Sequence, residues 1–436
     1  MKNFDFKLWF AFLLIFFIPS LVNIVRLHFI GNMPDEWGFN IASQIQWLNI
    51  LYEIVKEAFL IPLFFMLAKA LKEGEEKLLQ NTAGGLVAVT FIHAVLCVAV
   101  FFFAEQFLAG VKQTPQLIAD TAAYIKLESI AILLSVVVEY LIVYLAIIKD
   151  FKRIIQLSLW KMALLIGTDI LFISEMPFSL ALGVKGIALS NILINSILAV
   201  FVLSHGRFRQ FFAANRLGFD LDWFKNWMRL GSFSGLESLL RNAAFAFMIL
   251  GMVNQVGEQG AYWVANNIIW GILLVPSLAL AEVVKRDVAN SVDAVRFNTL
   301  TYLKCTVCFV LLWLVSIPLW KPFLTQVLKV GQAETVLEIM LVQTAFYIVF
   351  MFNYSVLDST IKGLGVTRYM LYQSIVVDVV YYGVVFVLYK AGVVQMSLLN
   401  ISLVFGGGML IDMLPTVWLY VKTLRNHNIR IADLVR

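Results

Sequence analysis

Residues 50–65 read ILYEIVKEAFLIPLFF. The stretch is apolar enough for a membrane-spanning helix, yet Glu53, Lys56 and Glu57 fall within five positions of it. A charged side chain at the centre of a bilayer costs about 2.5–3.5 kcal/mol on insertion scales. Three such costs on a lipid-facing surface would be prohibitive. At about 100° per residue, Asn49, Glu53, Lys56 and Glu57 lie on one narrow stripe. The stretch therefore predicts a spanning helix with one face turned to protein or water.

The rest of the chain agrees. Of its 436 residues 61% are hydrophobic, only 14% are charged, and the mean hydropathy is +0.86. An ordinary soluble domain carries about 25% charged residues. Apolar runs long enough to cross a bilayer as helices occur at about 7–30, 45–71, 84–108, 121–148, 156–176, 180–203, 226–253, 260–284, 298–320, 336–361, 369–392 and 397–421. The first is too long for the apolar core of a cleavable signal and lacks a small-residue cleavage site. With the N-terminus inside, 24 of the 33 Lys and Arg fall on the cytoplasmic side and six outside. That bias predicts a multi-pass inner-membrane protein with both termini cytoplasmic. The net charge of +5 is thus a topology signal and calls for no nucleic-acid partner.

The longest connection, residues 204–227, follows the sixth run and divides the chain into similar halves. The fourth run ends in LAIIKDFKR and the tenth in STIKGLGVTR, each a basic turn into the next helix. Internal repetition of this kind predicts two helical modules that open alternately to either side. We expect an all-α membrane protein with 12 transmembrane helices in two pseudo-twofold-related six-helix bundles around a central cavity. Its parts would be residues 1–203, a cytoplasmic linker 204–225, and residues 226–436.

Charged and polar residues within the runs mark the candidate site. Lys56 can pair with Glu53 at i,i−3, which leaves one carboxylate in surplus. Arg26, one turn after Asn23, is its expected partner if the first two helices pack antiparallel. On the seventh run Glu237 and Arg241 form an i,i+4 pair in the favoured order. Further in come Glu128, Glu139, Asp169, Asn266, Asn267, Asp358, Asp378 (with Tyr381 and Tyr382) and Asp412. Trp47 and Trp270 occupy matching places in the two halves. Substrate contact is expected from Asn23, Arg26, Trp47, Arg241, Asn267 and Trp270. Ion coupling is expected from Glu53, Lys56, Glu57, Glu237, Asp358 and Asp378. Cys305 and Cys308 have ligand spacing but no second pair, so they read as apolar packing residues. No metal site is expected, and the absence of a Ser/His/Asp set, a DxD run or an HExxH motif argues against an enzyme.

Four stretches, MRLGSFSGLESLL, GAYWVANNIIWGILLVP, ALGVKGIALSNILINSI and IKGLGVTRYMLYQS, resemble the multidrug and toxic-compound extrusion (MATE) family of the MOP flippase superfamily. The resemblance implies two six-helix bundles and secondary active export of organic compounds, often cations, coupled to a sodium or proton gradient through buried carboxylates. Three acidic positions of the family fall here on Arg26, on Arg241 and near Met351 to Asn353, none of them acidic. Arginine offers a planar fork to carboxylate or phosphate, so the expected substrate is an amphipathic, anionic or zwitterionic small molecule carried by a monomer in the lipid bilayer. No cofactor is expected beyond sodium or a proton as the coupling ion. The alternative is a lipid-linked saccharide flippase of the same superfamily.

Overall fold

A computed structural model describes residues 5–33, 37–148, 150–204, 220–364, 366, 372–395 and 397–435. Every element in it is helical: α1 Phe6–Gly31, α2 Ile45–Glu73, α3 Glu75–Gly110, α4 Ile118–Ile147, α5 Phe151–Ile173, α6 Gly183–Leu203 and α7 Leu221–Phe245. After a π turn at Ala246–Leu250 come α8 Gln259–Ile268, α9 Val275–Asn290, α10 Asp293–Pro322, α11 Ala333–Phe352, α12 Tyr382–Lys390 and α13 Leu398–Asn426. Local signals fix several ends. Asp150, Asp220 and Ser397 accept a backbone N–H in the first turns of α5, α7 and α13, meeting donors that a helix leaves open. Gly74, the one residue between α2 and α3, sits at φ +136°, in the region that favours glycine.

Among the described residues, nine helices are long and apolar enough to cross a membrane. The bent pair Gln259–Leu273 and Val275–Val288, at 52°, makes a tenth if it is one span. Helices α2 and α7, which carry the charged stripes, are 29 and 25 residues long and are not among these spans. Over the described residues the molecule is all-helical, with helices of membrane-spanning length and composition.

The chain gathers into two compact units. One unit joins Met1–Gly31 to Phe247–Arg436, and the other is Asn32–Ala246. Side chains explain the membership of α1. Trp9 Nε1 donates to the Pro276 carbonyl at 3.1 Å, Asn23 donates to Asn267 Oδ1 at 2.6 Å, and Gly31 lies directly on the Leu328 carbonyl. The membership of α7 rests on a small-residue seam. Gly231 and Gly235, four apart, lie against Ala58 of α2, the close approach that GxxxG spacing permits. Beside the seam Trp227 is fully buried, with Nε1 donating to the Phe59 carbonyl at 2.9 Å.

Candidate functional site

In the Asn32–Ala246 unit the charged stripe of α2 is met by two other helices. Arg241 of α7 pairs with Glu57 at 2.5 Å, and Lys56 donates to Glu139 of α4 at 3.0 Å. Glu53 lies among Lys56, Glu57, Glu139 and Arg241. Among the described residues, three carboxylates thus face two cations. Glu57 meets Arg241 and Lys56 meets Glu139, each on another helix of the same unit. Glu237 is on α7, but its side chain lies outside the described residues. Behind the stripe, Tyr52 meets the Ser129 hydroxyl at 2.5 Å and stacks on His93.

Trp47 lies across α2 from this stripe. With Leu48 and Leu51 it lines an apolar crevice of about 140 Å³ closed by Val100, Phe103 and Phe107 of α3.

The other unit contains Asn23, Arg26, Asn267, Trp270, Asp358 and Asp378. Asn23 and Asn267 bond to each other, as above, and Trp270 Nε1 donates to the Tyr347 hydroxyl at 2.9 Å in a cluster of Tyr347 and Phe350 rings. Asp358 closes a π-helical turn, Asn353–Asp358. Positions five apart diverge by about 140° in an α-helix. The i→i+5 bonding of a π turn brings them nearer to one face. Asn353 donates to Asp412 Oδ2 at 2.9 Å and to Thr416 Oγ1 at 3.4 Å, and Thr416 donates to the Asp412 carbonyl at 2.7 Å. Gln373 bonds to Thr416 and reaches both Asp358 and Asp412. Lys362 stands 3.5 Å from Asp358. Asn353 Oδ1 and Asp358 Oδ1 are buried with no hydrogen-bond partner among the described residues. Asp378 sits on the neighbouring π segment Ile375–Tyr381, close enough to Asp412 for their charges to interact.

This second group was only half legible. Asp358 and Asp412 stand out as charges in apolar runs, whereas Asn353, Gln373 and Thr416 are uncharged. Only the Asp412–Thr416 i,i+4 spacing hinted at their company. Among the described residues no three His, Cys, Asp or Glu side chains gather as a metal site.

The fold is similar to that of solved structures described as MOP superfamily transporters. The structure titled lipid II flippase MurJ, inward closed conformation, matches with a TM-score of 0.72 at 13% identity, over 98% of this chain and 89% of that one. An inward-facing multidrug resistance MATE family transporter gives 0.66 at 16%, over 93% and 99%. A MOP superfamily transporter from Pyrococcus furiosus, described as having a binding pocket of reverse polarity, gives 0.63 at 15%, over 96% and 95%. At these identities the likeness is one of fold. No protein-family model matches the chain, and no curated protein matches it.

Proposed function

We propose that this protein is a secondary active transporter of an amphipathic organic molecule, coupled to a sodium ion or proton taken up at Asn353, Asp358 and Asp412. The observation that carries this reading is the buried oxygen cluster itself. Two carboxylates stand together inside membrane-depth helices, and two of the cluster's oxygens have no donor among the described residues. Ionisable groups in such helices are costly and mark ion pathways. A cation or proton offsets that cost, and hard oxygen donors suit both.

The stripe of Glu53, Lys56, Glu57, Glu139 and Arg241 is the proposed contact for the substrate's polar group. Arg241 is already paired with Glu57, and among the described residues carboxylates outnumber cations there. This arrangement favours a zwitterion, whose anionic end replaces Glu57 at Arg241 while its cationic end takes the freed carboxylate. A bare anion would leave that carboxylate unpaired.

Thermal unfolding of the purified protein, with and without sodium and at two pH values, tests the coupling site. Saturating cation should raise the midpoint of the wild type, because a ligand that binds only the folded state stabilises it. Asp412→Asn and Asp358→Asn should abolish the rise. A wild type indifferent to sodium and pH, or variants that respond like it, would remove the proposal.

A second reading, transport of a lipid-linked saccharide, is favoured by the apolar crevice at Trp47. Phe103 and Phe107 of its lining are also exposed on α3, next to the exposed Phe102, so an acyl or prenyl tail has a way in from the bilayer. Competition by long-chain alkyl phosphates, lost in Ala104→Phe, would select it.

A further inference from the structure

Polar groups buried at membrane depth are costly unless they are satisfied. In the unit that holds Asp412, several such groups share one level. They are Tyr262 on α8, Gln343 on α11 and Ser402 on α13, with Asn266 one turn further along α8. Helix α11 packs against both α8 and α13. Tyr262 and Gln343 are fully buried and Ser402 is 1% exposed. Tyr262 Oη, Asn266 Oδ1, both amide atoms of Gln343 and Ser402 Oγ have no hydrogen-bond partner of normal geometry among the described residues. The Tyr262 phenol nevertheless lies beside Asn266 and Gln343.

The register of the helices brings Ser402 to the same level. Phe346 packs on Gly406, and seven residues later Asn353 bonds to Asp412. Helices α11 and α13 therefore run parallel, and stepping back one turn from Phe346 and Gly406 reaches Gln343 and Ser402. The ring of Tyr262 meets Phe405, one turn along from Ser402, at 6.5 Å. Below this level the polar atoms continue at helical steps. Asn266 is four residues after Tyr262, and the Tyr347 hydroxyl is four after Gln343. Asn353 and Asp412 lie ten residues beyond Gln343 and Ser402, about 15 Å deeper.

We propose that ordered water molecules occupy the level of Tyr262, Gln343 and Ser402. They form the upper end of a file through which the coupling cation reaches Asp412. A buried water requires two to four polar partners, and this set supplies donors and acceptors from three helices with no charge of its own. The groups around Asp412 at the lower end are Asp358, Asp378, Lys362 and Gln373. The role as a route rests on the coupling reading above; the hydration does not.

Radiolytic hydroxyl-radical labelling of the protein in nanodiscs tests the hydration, since radicals form from water bound beside a side chain. Tyr262 should be modified despite its burial, whereas Trp227, equally buried and bonded to a carbonyl, should not. Gln343→Leu should lower Tyr262 labelling several-fold, and Gln343→Glu should retain it. Labelling of Tyr262 no greater than that of Trp227, or unchanged in Gln343→Leu, would overturn the proposal. So would a higher unfolding midpoint in Gln343→Leu, because a dry level would be relieved by an apolar side chain.

The route is tested by stopped-flow cation mixing. Gln343→Leu should slow the fluorescence response about tenfold while leaving its equilibrium midpoint in place, and an unchanged rate would end the route. If Asp412→Asn responds to cation as the wild type does, the coupling reading fails and the labelling result stands on its own.

Discussion

Arg241 Nη2 lies 2.5 Å from Glu57 Oε1 and joins α7 to α2 within one unit. The arginine side chain is 46% exposed and the glutamate 19%, so the pair is open enough to be exchanged for a ligand. Its worth to stability is correspondingly small, at most about 1 kcal/mol. Arg241→Ala and Glu57→Gln should each leave the unfolding midpoint nearly unchanged and reduce uptake of a zwitterionic substrate about tenfold. The double variant should be no worse than either single one, because both act on the same pair. Uptake into proteoliposomes beside thermal unfolding checks this, and additive losses would contradict it.

The seam beneath that pair should be less forgiving. A Cβ at Gly231 would overlap the Ala58 carbonyl oxygen, and one at Gly235 would meet Ala58 Cβ at 2.8 Å. Backbone cannot yield as a flexible side chain does, so Gly231→Ala should cost about 1–3 kcal/mol, as overpacking does. Gly167, with open space around its Cβ position, is the control: Gly167→Ala should be neutral or slightly stabilising on helix propensity. Thermal unfolding in detergent compares the two.

Asp220 gives a pH dependence whose sign follows from its contacts. Its carboxylate accepts a hydrogen bond from Lys77 at 2.5 Å and one from the Trp223 N–H at 2.9 Å. The Lys77 bond is the main reason that its pKa lies below the usual aspartate value. Stability from this group is complete above the unfolded value of about 3.9 and is lost as pH falls through the lower folded one. Asp220→Asn keeps the cap but removes the charge, whereas Asp220→Ala also removes the cap, worth about 1 kcal/mol. The gap between wild type and Asp220→Asn should therefore be full at pH 6 and close as the pH approaches 3. A gap that widens on acidification would contradict the assignment.

The oxygen cluster predicts a selective effect. Asn353→Leu removes the donor to Asp412 and Thr416 and one oxygen without a donor. It should weaken cation-induced stabilisation at least tenfold in apparent affinity while leaving the Arg241–Glu57 phenotype intact. Titration of the unfolding midpoint against sodium concentration and pH measures it.

The helices were legible because hydrocarbon imposes one requirement on every turn: the backbone bonds within the helix and the side chains are apolar. Partner choice was less so. The apolar sequence of α1 says little about which unit will hold it, and the decisive contacts, Trp9 to Pro276 and Asn23 to Asn267, join residues more than 240 positions apart. The GSFSG run of α7 did carry a signal, its two glycines four apart, and that signal points to a tight seam. The stripe of α2 was readable as a face, but its partners were not, because a charge pattern states a need without naming what meets it. The π turn at Asn353–Asp358 escaped for a geometric reason: a reading at 100° per residue sends those two side chains in different directions.

The chain passes from one unit to the other after Gly31 and back again after Ala246. During synthesis the first helix therefore enters the membrane long before its neighbours exist. At roughly 5–20 residues per second, the ribosome needs about 10–50 s to travel from Gly31 to Asn267. Through that interval α1 waits in the bilayer for Asn267 and Pro276, the partners of Asn23 and Trp9. The order of birth is thus the reverse of the order of completion: the earliest segment made is among the last to find its place.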